Sequence, residues 1–164
     1  RSPMKQKKSL SAFWRGFTLI ELLVVIFIIG ILTALVMVNF NAARERARDV
    51  ERKSDLVQVK GALRMYYNDQ IPSTYPGVAI LVWGDPFTSA DEEMVYMKRL
   101  PHDPQHDPTD SDSPEYSYQL TDSGQDFILR AGLENKSDGD IVKSQVRCLE
   151  DGEDGTDDYV VCAD

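Results

Sequence analysis

Glu21 is the only charged residue in the 24-residue run from Phe17 to Phe40. A carboxylate inside so apolar a run costs roughly 2.5–3.5 kcal/mol near the middle of a membrane and less near its surface. It calls for a positive partner, and the most economical source is another copy of the same segment. Cys148 and Cys162 are the only cysteines, and their spacing is not that of a CxxC redox or metal pair. Six carboxylates fall in the nine residues Glu150 to Asp158 between them. Such a segment repels itself unless cations collect, and calcium suits hard oxygen ligands. Asp151, Glu153, Asp154, Asp157 and Asp158 are therefore candidate calcium ligands, although the spacing departs from an EF-hand loop. A plain solvated loop is the competing reading. Asp107, Asp110, Asp112 and the Asp138-Gly139-Asp140 turn are rival ligands.

His102 and His106 lie in Pro-His-Asp-Pro-Gln-His-Asp-Pro. A spacing of four suits zinc on a helix, but these prolines exclude a helix, so an exposed turn is expected rather than a metal site. No serine, cysteine or histidine constellation suggests nucleophilic catalysis, and no glycine loop is built to cradle phosphate. The expectation is a protein that is not an enzyme.

The elements that must position these groups follow from hydropathy and charge. As a helix, residues 17–40 extend roughly 36 Å, enough to cross a hydrocarbon core of about 30 Å. The preceding 16 residues carry Arg1, Lys5, Lys7, Lys8 and Arg15 and no acid, a charge of +5. The whole chain is −9, which leaves −14 for everything after residue 16. Positive charge ahead of the apolar run predicts a single-pass protein whose leader stays in the cytoplasm while the rest is exported. Met4 is the expected start residue. On the oxidising side of the membrane, Cys148 and Cys162 are expected to form a disulfide.

Residues 41–70 read as an amphipathic continuation of the same helix. Leu56, Val59, Leu63 and Tyr66 recur at spacings of three, four and three, which places them on one face. Asp49 and Lys53 have the i,i+4 spacing and order of a helical ion pair, marking an exposed face. The interspersed acids weaken any nucleic-acid role for Arg44, Arg46, Arg48, Arg52 and Lys53, and no such partner is predicted. Pro72 and Pro76 stop the helix, leaving about 54 residues and roughly 80 Å of continuous helix.

Residues 71–164 form a small acidic head. Val78 to Trp83 has the length and character of a strand. Ser89-Ala90-Asp91-Glu92 has capping-box spacing and predicts a short helix over 93–98. Tyr116–Leu120 and Asp126–Gly132 read as two strands joined by a turn, and Tyr159–Cys162 as a final strand. Asn135-Lys136-Ser137, a glycosylation sequon by pattern, reads as a turn. So small a head needs the helical stripe to complete its core.

Gly16-Phe17-Thr18-Leu19-Ile20-Glu21, followed by an unbroken aliphatic run, resembles the class III signal of type IV pilins and type II secretion pseudopilins. The resemblance implies cleavage after Gly16 by a prepilin peptidase, N-methylation of Phe17, and an assembly role for Glu21 as the fifth residue of the mature chain. There it would neutralise the terminal amine of a neighbouring subunit. That amine, with a pKa of about 7.7–8.0, is largely cationic at neutral pH. The implied fold is α+β: a long N-terminal helix, membrane-spanning then amphipathic, on a small antiparallel sheet, a lollipop in outline. Leu100-Pro101 with Asp103-Pro104 resembles a turn of the major pseudopilins, and the C-terminal cysteine loop resembles the D-region of many pilins. Some pseudopilins hold calcium in their heads. Val38 stands where many members carry proline.

The partners implied are copies of the same chain, the peptidase, an inner-membrane assembly platform, and lipid before assembly. The leading functional expectation is a structural subunit of a type IV pilus. The alternatives are a secretion pseudopilin and a monomeric membrane-anchored binding protein.

Overall fold

The computed structural model describes residues 16–149 and 156–163, and within them the side chains of all but residues 35–39. One long helix, α1, runs from Leu19 to Asp69. It ends near the expected stop, before Pro72. The chain divides into two compact units, residues 1–41 and 42–164. Among the described residues, no helix is long and apolar enough to cross a membrane. The 17–40 span includes side chains outside the described set.

In the unit from residue 42 onward, α1 contributes Leu56, Val59, Ala62, Leu63 and Tyr66 to the core. They meet Tyr75, Leu81, Phe87, Leu100, Tyr116, Phe127, Leu129, Ala131 and Val161. The stripe that recurs every three or four residues thus becomes the buried face, as its period requires. A two-stranded hairpin pairs β1 (Phe87–Thr88) with β2 (Val95–Met97). A three-stranded antiparallel sheet follows the order β3 (Ser117–Thr121), β4 (Asp126–Gly132), β5 (Asp158–Cys162). In β4, Phe127, Leu129 and Ala131 are buried, the alternation of a strand with one face on the core. The tight β3–β4 connection passes through Gly124 at φ +92, a left-handed conformation natural to glycine, and its carbonyl accepts from the Tyr75 N–H at 2.9 Å.

Three local expectations are corrected. Val78–Trp83 is not a strand. Val78–Ile80 forms a 3-10 turn closed by the Ile80 N–H on the Gly77 carbonyl at 3.0 Å, and the Asp85 N–H closes another on Val82 at 3.1 Å. Turn closure takes the backbone bonds a ladder would need, so only Leu81 is buried while Val78, Ile80 and Val82 remain exposed. Residues 93–98 are not helical either. The Ser89 hydroxyl accepts from the Met94 N–H at 3.0 Å, five residues ahead, and Glu92 turns to φ +58, reversing the chain into β2. The serine serves a hairpin turn instead of a helix cap, and Val95, Tyr96 and Met97 suit the strand that follows.

The Asp138-Gly139-Asp140 segment is a helix start. Asp138 caps α2 (Gly139–Cys148), accepting from the Asp140 N–H at 2.9 Å. Ile141, Ser144 and Gln145 form its buried face. The Ser144 hydroxyl accepts from the Val160 N–H at 3.0 Å, and Gln145 Nε2 donates to the carbonyls of Thr156 (3.1 Å) and Asp158 (3.0 Å), stitching α2 to β5. A disulfide joins Cys148, at the end of α2, to Cys162, at the end of β5, with Cα atoms 5.5 Å apart.

Candidate functional site

The N-terminal site is built by the first turn of α1. The Thr18 N–H and hydroxyl both donate to Glu21 Oε2, at 3.0 and 2.9 Å. The Glu21 N–H donates back to Thr18 Oγ1 at 3.3 Å. This is a reciprocal capping box, with Thr18 as the cap and Glu21 three residues in, so Glu21 satisfies the helix start as well as carrying the only charge of the apolar run. Glu21 therefore has a second role that the charge pattern alone did not reveal. The [ST]-x-x-[DE] spacing, which the sequence does contain, was the available signal. Behind it the apolar side chains are bare, from 81% exposure at Leu19 to 44% at Val25. A continuous apolar surface of this kind marks a face covered by lipid or by other protein. Leu23, Ile26, Phe27, Gly30, Ile31 and Ala34 line a shallow groove along it, with Gly30 and Ala34 one turn apart. Small residues at that spacing let another helix approach closely.

Of the charged stretch expected to be a solvated or inter-subunit face, Arg44, Glu45, Arg46 and Glu51 are exposed, while Asp49 and Arg52 are drawn into a buried clasp. Arg52 is 1% exposed. Its Nε and Nη2 donate to Asp103 at 2.7 and 3.0 Å, Nη1 to Asp49 at 2.7 Å and Glu134 at 2.8 Å, and Nη2 also to Gln105 at 2.9 Å. Five bonds match the five N–H groups of a guanidinium. Arg48 forks onto the same Glu134 at 2.6 and 2.5 Å. Asp49 in turn accepts the backbone N–H groups of Glu134 and Asn135, both at 2.9 Å, fixing the exit of β4. The expected Asp49–Lys53 pair is replaced: Lys53 reaches Asp138 at 2.7 Å and Asp140 at 2.9 Å. The reason is rank of partners, since an i,i+4 pair contributes only tenths of a kcal/mol and yields to convergent tertiary ones.

The electrostatics of the clasp set an acid limit. Hydrogen bonds from Arg48, and then from Arg52, outweigh partial burial and hold the Glu134 carboxyl down at about 2. Lys53 likewise holds Asp138 and Asp140 below the usual range. Burial favours loss of the Arg52 proton, but the carboxylates of Asp103, Glu134 and Asp49 more than offset this and raise its affinity for it. A depressed carboxylate stabilises the fold above its unfolded value and loses that contribution as pH falls through its folded value. Asp55, raised by burial despite the Tyr116 hydroxyl, acts in the opposite sense. Urea midpoints should therefore hold down to pH 4.5, the ordinary Glu134 value, and fall steeply toward pH 2. A flat profile over that interval would show that the clasp does not depend on ionised Glu134.

The C-terminal loop is only partly described. Asp151, Glu153 and Asp154 lie outside the described residues. Asp157 pairs with Lys136 at 3.5 Å, and Asp158 gives its carbonyl to Gln145. Of the rivals, Asp107 and Asp110 accept from Thr109 and Asp112 within their own turns, and Asp138 and Asp140 are engaged by Lys53. Among the described residues, the group of three side chains able to converge on a metal ion is His102, His106 and Glu115.

A bare apolar helix opening on a capped acid, continuous with an α+β unit of small antiparallel sheets, defines a pilin-like protein. Residues 15–37 match the family described as the prokaryotic N-terminal methylation motif. Over 150 residues the chain is 35% identical to the type II secretion system core protein G of Aeromonas hydrophila, covering 88% of this chain and 89% of the relative. The protein of the same name from Klebsiella pneumoniae is 42% identical over 95 residues, 55% of this chain and 68% of the relative. That of Escherichia coli K12 is 41% identical over 95 residues, 55% of this chain and 66% of the relative. No solved structure matches. The chain belongs to the type II secretion system core protein G family of pseudopilins. These relatives favour the secretion alternative over the type IV pilus subunit that led the sequence reading.

Proposed function

We propose that this chain is a non-enzymatic pseudopilin, polymerising through its N-terminal helix into an envelope filament that drives export of folded proteins by a type II secretion system. The observation that carries this reading is the bare apolar surface of α1 behind Glu21, in a chain that aligns with a secretion relative over nearly its whole length. In this scheme residues 1–16 remain in the cytoplasm until a prepilin peptidase cuts between Gly16 and Phe17. Phe17 is then methylated, and an inner-membrane platform draws the helix from lipid into the filament. Glu21 meets the amine at Phe17 of a neighbouring subunit, while the unit from residue 42 onward is displayed outside the membrane.

Deleting the gene in its host should abolish release of folded exoproteins. Loss of surface fibres with secretion intact would restore the pilus reading. The two roles of Glu21 are separable by substitution. Glu21→Gln keeps an acceptor for the capping box but removes the charge, whereas Glu21→Ala removes both. Filament yield from chemically cross-linked cells should fall about tenfold or more in both variants if charge pairing is worth at least about 1.4 kcal/mol per subunit contact. Wild-type yield from Glu21→Gln would leave Glu21 as a helix cap only.

A further inference from the structure

The Pro-rich turn does what its sequence spacing on a helix would have done. A β-turn closes with the His106 N–H on the Asp103 carbonyl at 2.8 Å. It folds His106 back over His102, so that the two rings stack in parallel, 4° apart in plane and 4.3 Å between centroids. Both Nδ1 atoms face one carboxylate oxygen: Glu115 Oε2 lies 2.5 Å from His102 Nδ1 and 3.2 Å from His106 Nδ1. The other oxygen, Oε1, accepts the backbone N–H groups of Asp103 at 3.1 Å and Tyr116 at 3.0 Å, which fixes the carboxylate in place. His102 is fixed from behind. Gly84, at φ +84, leaves its Cα side bare, and a Cβ there would lie 2.1 Å from His102 Nε2. That ring edge is occupied by backbone, and the Nδ1 edge is turned to the cluster.

We propose that His102 Nδ1, His106 Nδ1 and Glu115 Oε2 form a binding site for a zinc-class divalent cation, with the fourth position open to water or to a neighbouring molecule. Two imidazoles and a carboxylate are a borderline donor set of the kind zinc takes, whereas calcium takes six to eight oxygens. One donor atom from each of the three residues lies within 4.8 Å of the others. Ligands about 2.0–2.1 Å from a tetrahedral ion are roughly 3.4 Å apart, so the Nδ1–Oε2 distances of 2.5 and 3.2 Å must open by less than about 1 Å. One ring must also turn out of the parallel stack, because a bound ion lies in the plane of each imidazole that holds it and planes 4° apart do not meet there. The backbone bonds to Oε1 supply the outer support that orients a metal-binding carboxylate. Ser113 Oγ lies 3.3 Å from His106 Nδ1 and yields that nitrogen to the ion. Bound there, the ion would staple residues 102–115 together beside Asp103, whose carboxylate anchors Arg52.

The test uses the full chain in detergent micelles, stripped of metal and titrated with zinc chloride in calorimetry, with millimolar calcium present to occupy acidic loops. One zinc per chain is expected. His106→Gln and Glu115→Gln should weaken it by at least the roughly 10–100-fold that loss of a supporting partner alone causes. Glu115→Gln keeps an acceptor for the Asp103 and Tyr116 N–H groups and loses only the charge facing the histidines, so the metal-free variant should still unfold in one cooperative transition. As a readout on the unsubstituted protein, zinc should shift the ring-nitrogen resonances of both histidines by direct Nδ1 ligation. Absence of zinc uptake, uptake indifferent to both substitutions, or unshifted histidine nitrogens would overturn the site.

Discussion

Arg52→Ala is expected to destabilise the unit formed by residues 42–164 by roughly 3–5 kcal/mol, the cost of leaving buried charge without its partner. The substitution strands Asp103 and Asp49, both buried, and removes one of the two cations on Glu134. Set against a total stability of about 5–15 kcal/mol for a domain, that loss removes a large share. Urea unfolding followed by the fluorescence of Trp83, which packs edge-on against Tyr116, reads it directly. Arg52→Lys should restore only part of the loss. An ammonium brings the charge but three donors, and cannot fork onto Asp103 while also reaching Asp49, Glu134 and Gln105. A change within about 0.5 kcal/mol for Arg52→Ala, the range of an ordinary surface substitution, would show that the clasp contributes nothing.

Cys148→Ser, or reduction of the disulfide, is expected to cost about 2–5 kcal/mol. The bridge closes a loop of sequence separation 14, for which restriction of the unfolded chain is worth on the order of 3 kcal/mol. It also ties the last turn of α2 to the end of β5. Without it, Ser144 and Gln145 still hold the start of β5, so the last turn of α2 should open first. Amide exchange on the oxidised and reduced protein distinguishes these contributions: protection should collapse at Val146–Cys148 before it falls in β4. Equal protection and equal urea midpoints in the two redox states would remove the disulfide as a stabilising element.

How much was legible in the chain depended on the range of the interaction involved. The stripe Leu56, Val59, Leu63 and Tyr66 could be read because helical burial repeats every three to four residues within one segment. β3, β4 and β5 could be read because strand residues alternate and tight turns announce themselves locally. The cysteine pair followed from compartment and count, and the long apolar segment with its lone acid from hydropathy and charge. Short-range logic failed where two local rules competed. At Val78–Trp83, apolar character suggested a strand, but turns at Gly77 and Val82 took the backbone hydrogen bonds. At Ser89, the capping spacing was present, yet its hydroxyl found Met94 across a hairpin.

Sequence by itself thus determined the apolar segment with its acid, the amphipathic face and the cysteine link, each a property of neighbours in the chain or of overall composition, and the resemblance of its N-terminal motif implied the α+β class. Tertiary structure alone decided where the charges go. Asp49 and Lys53 look like partners at a separation of four, but folding brings Asp103 to Arg52 from 51 positions away and Glu134 from 82, and sends Lys53 to Asp138. It also decided that His102 and His106 meet over Glu115, through a β-turn rather than a helix. The physical reason is that a guanidinium, an ammonium or an imidazole carries no record of its partner. Closing long loops onto a common core selects the partner, and a buried charge then keeps whichever counter-charges that closure delivers.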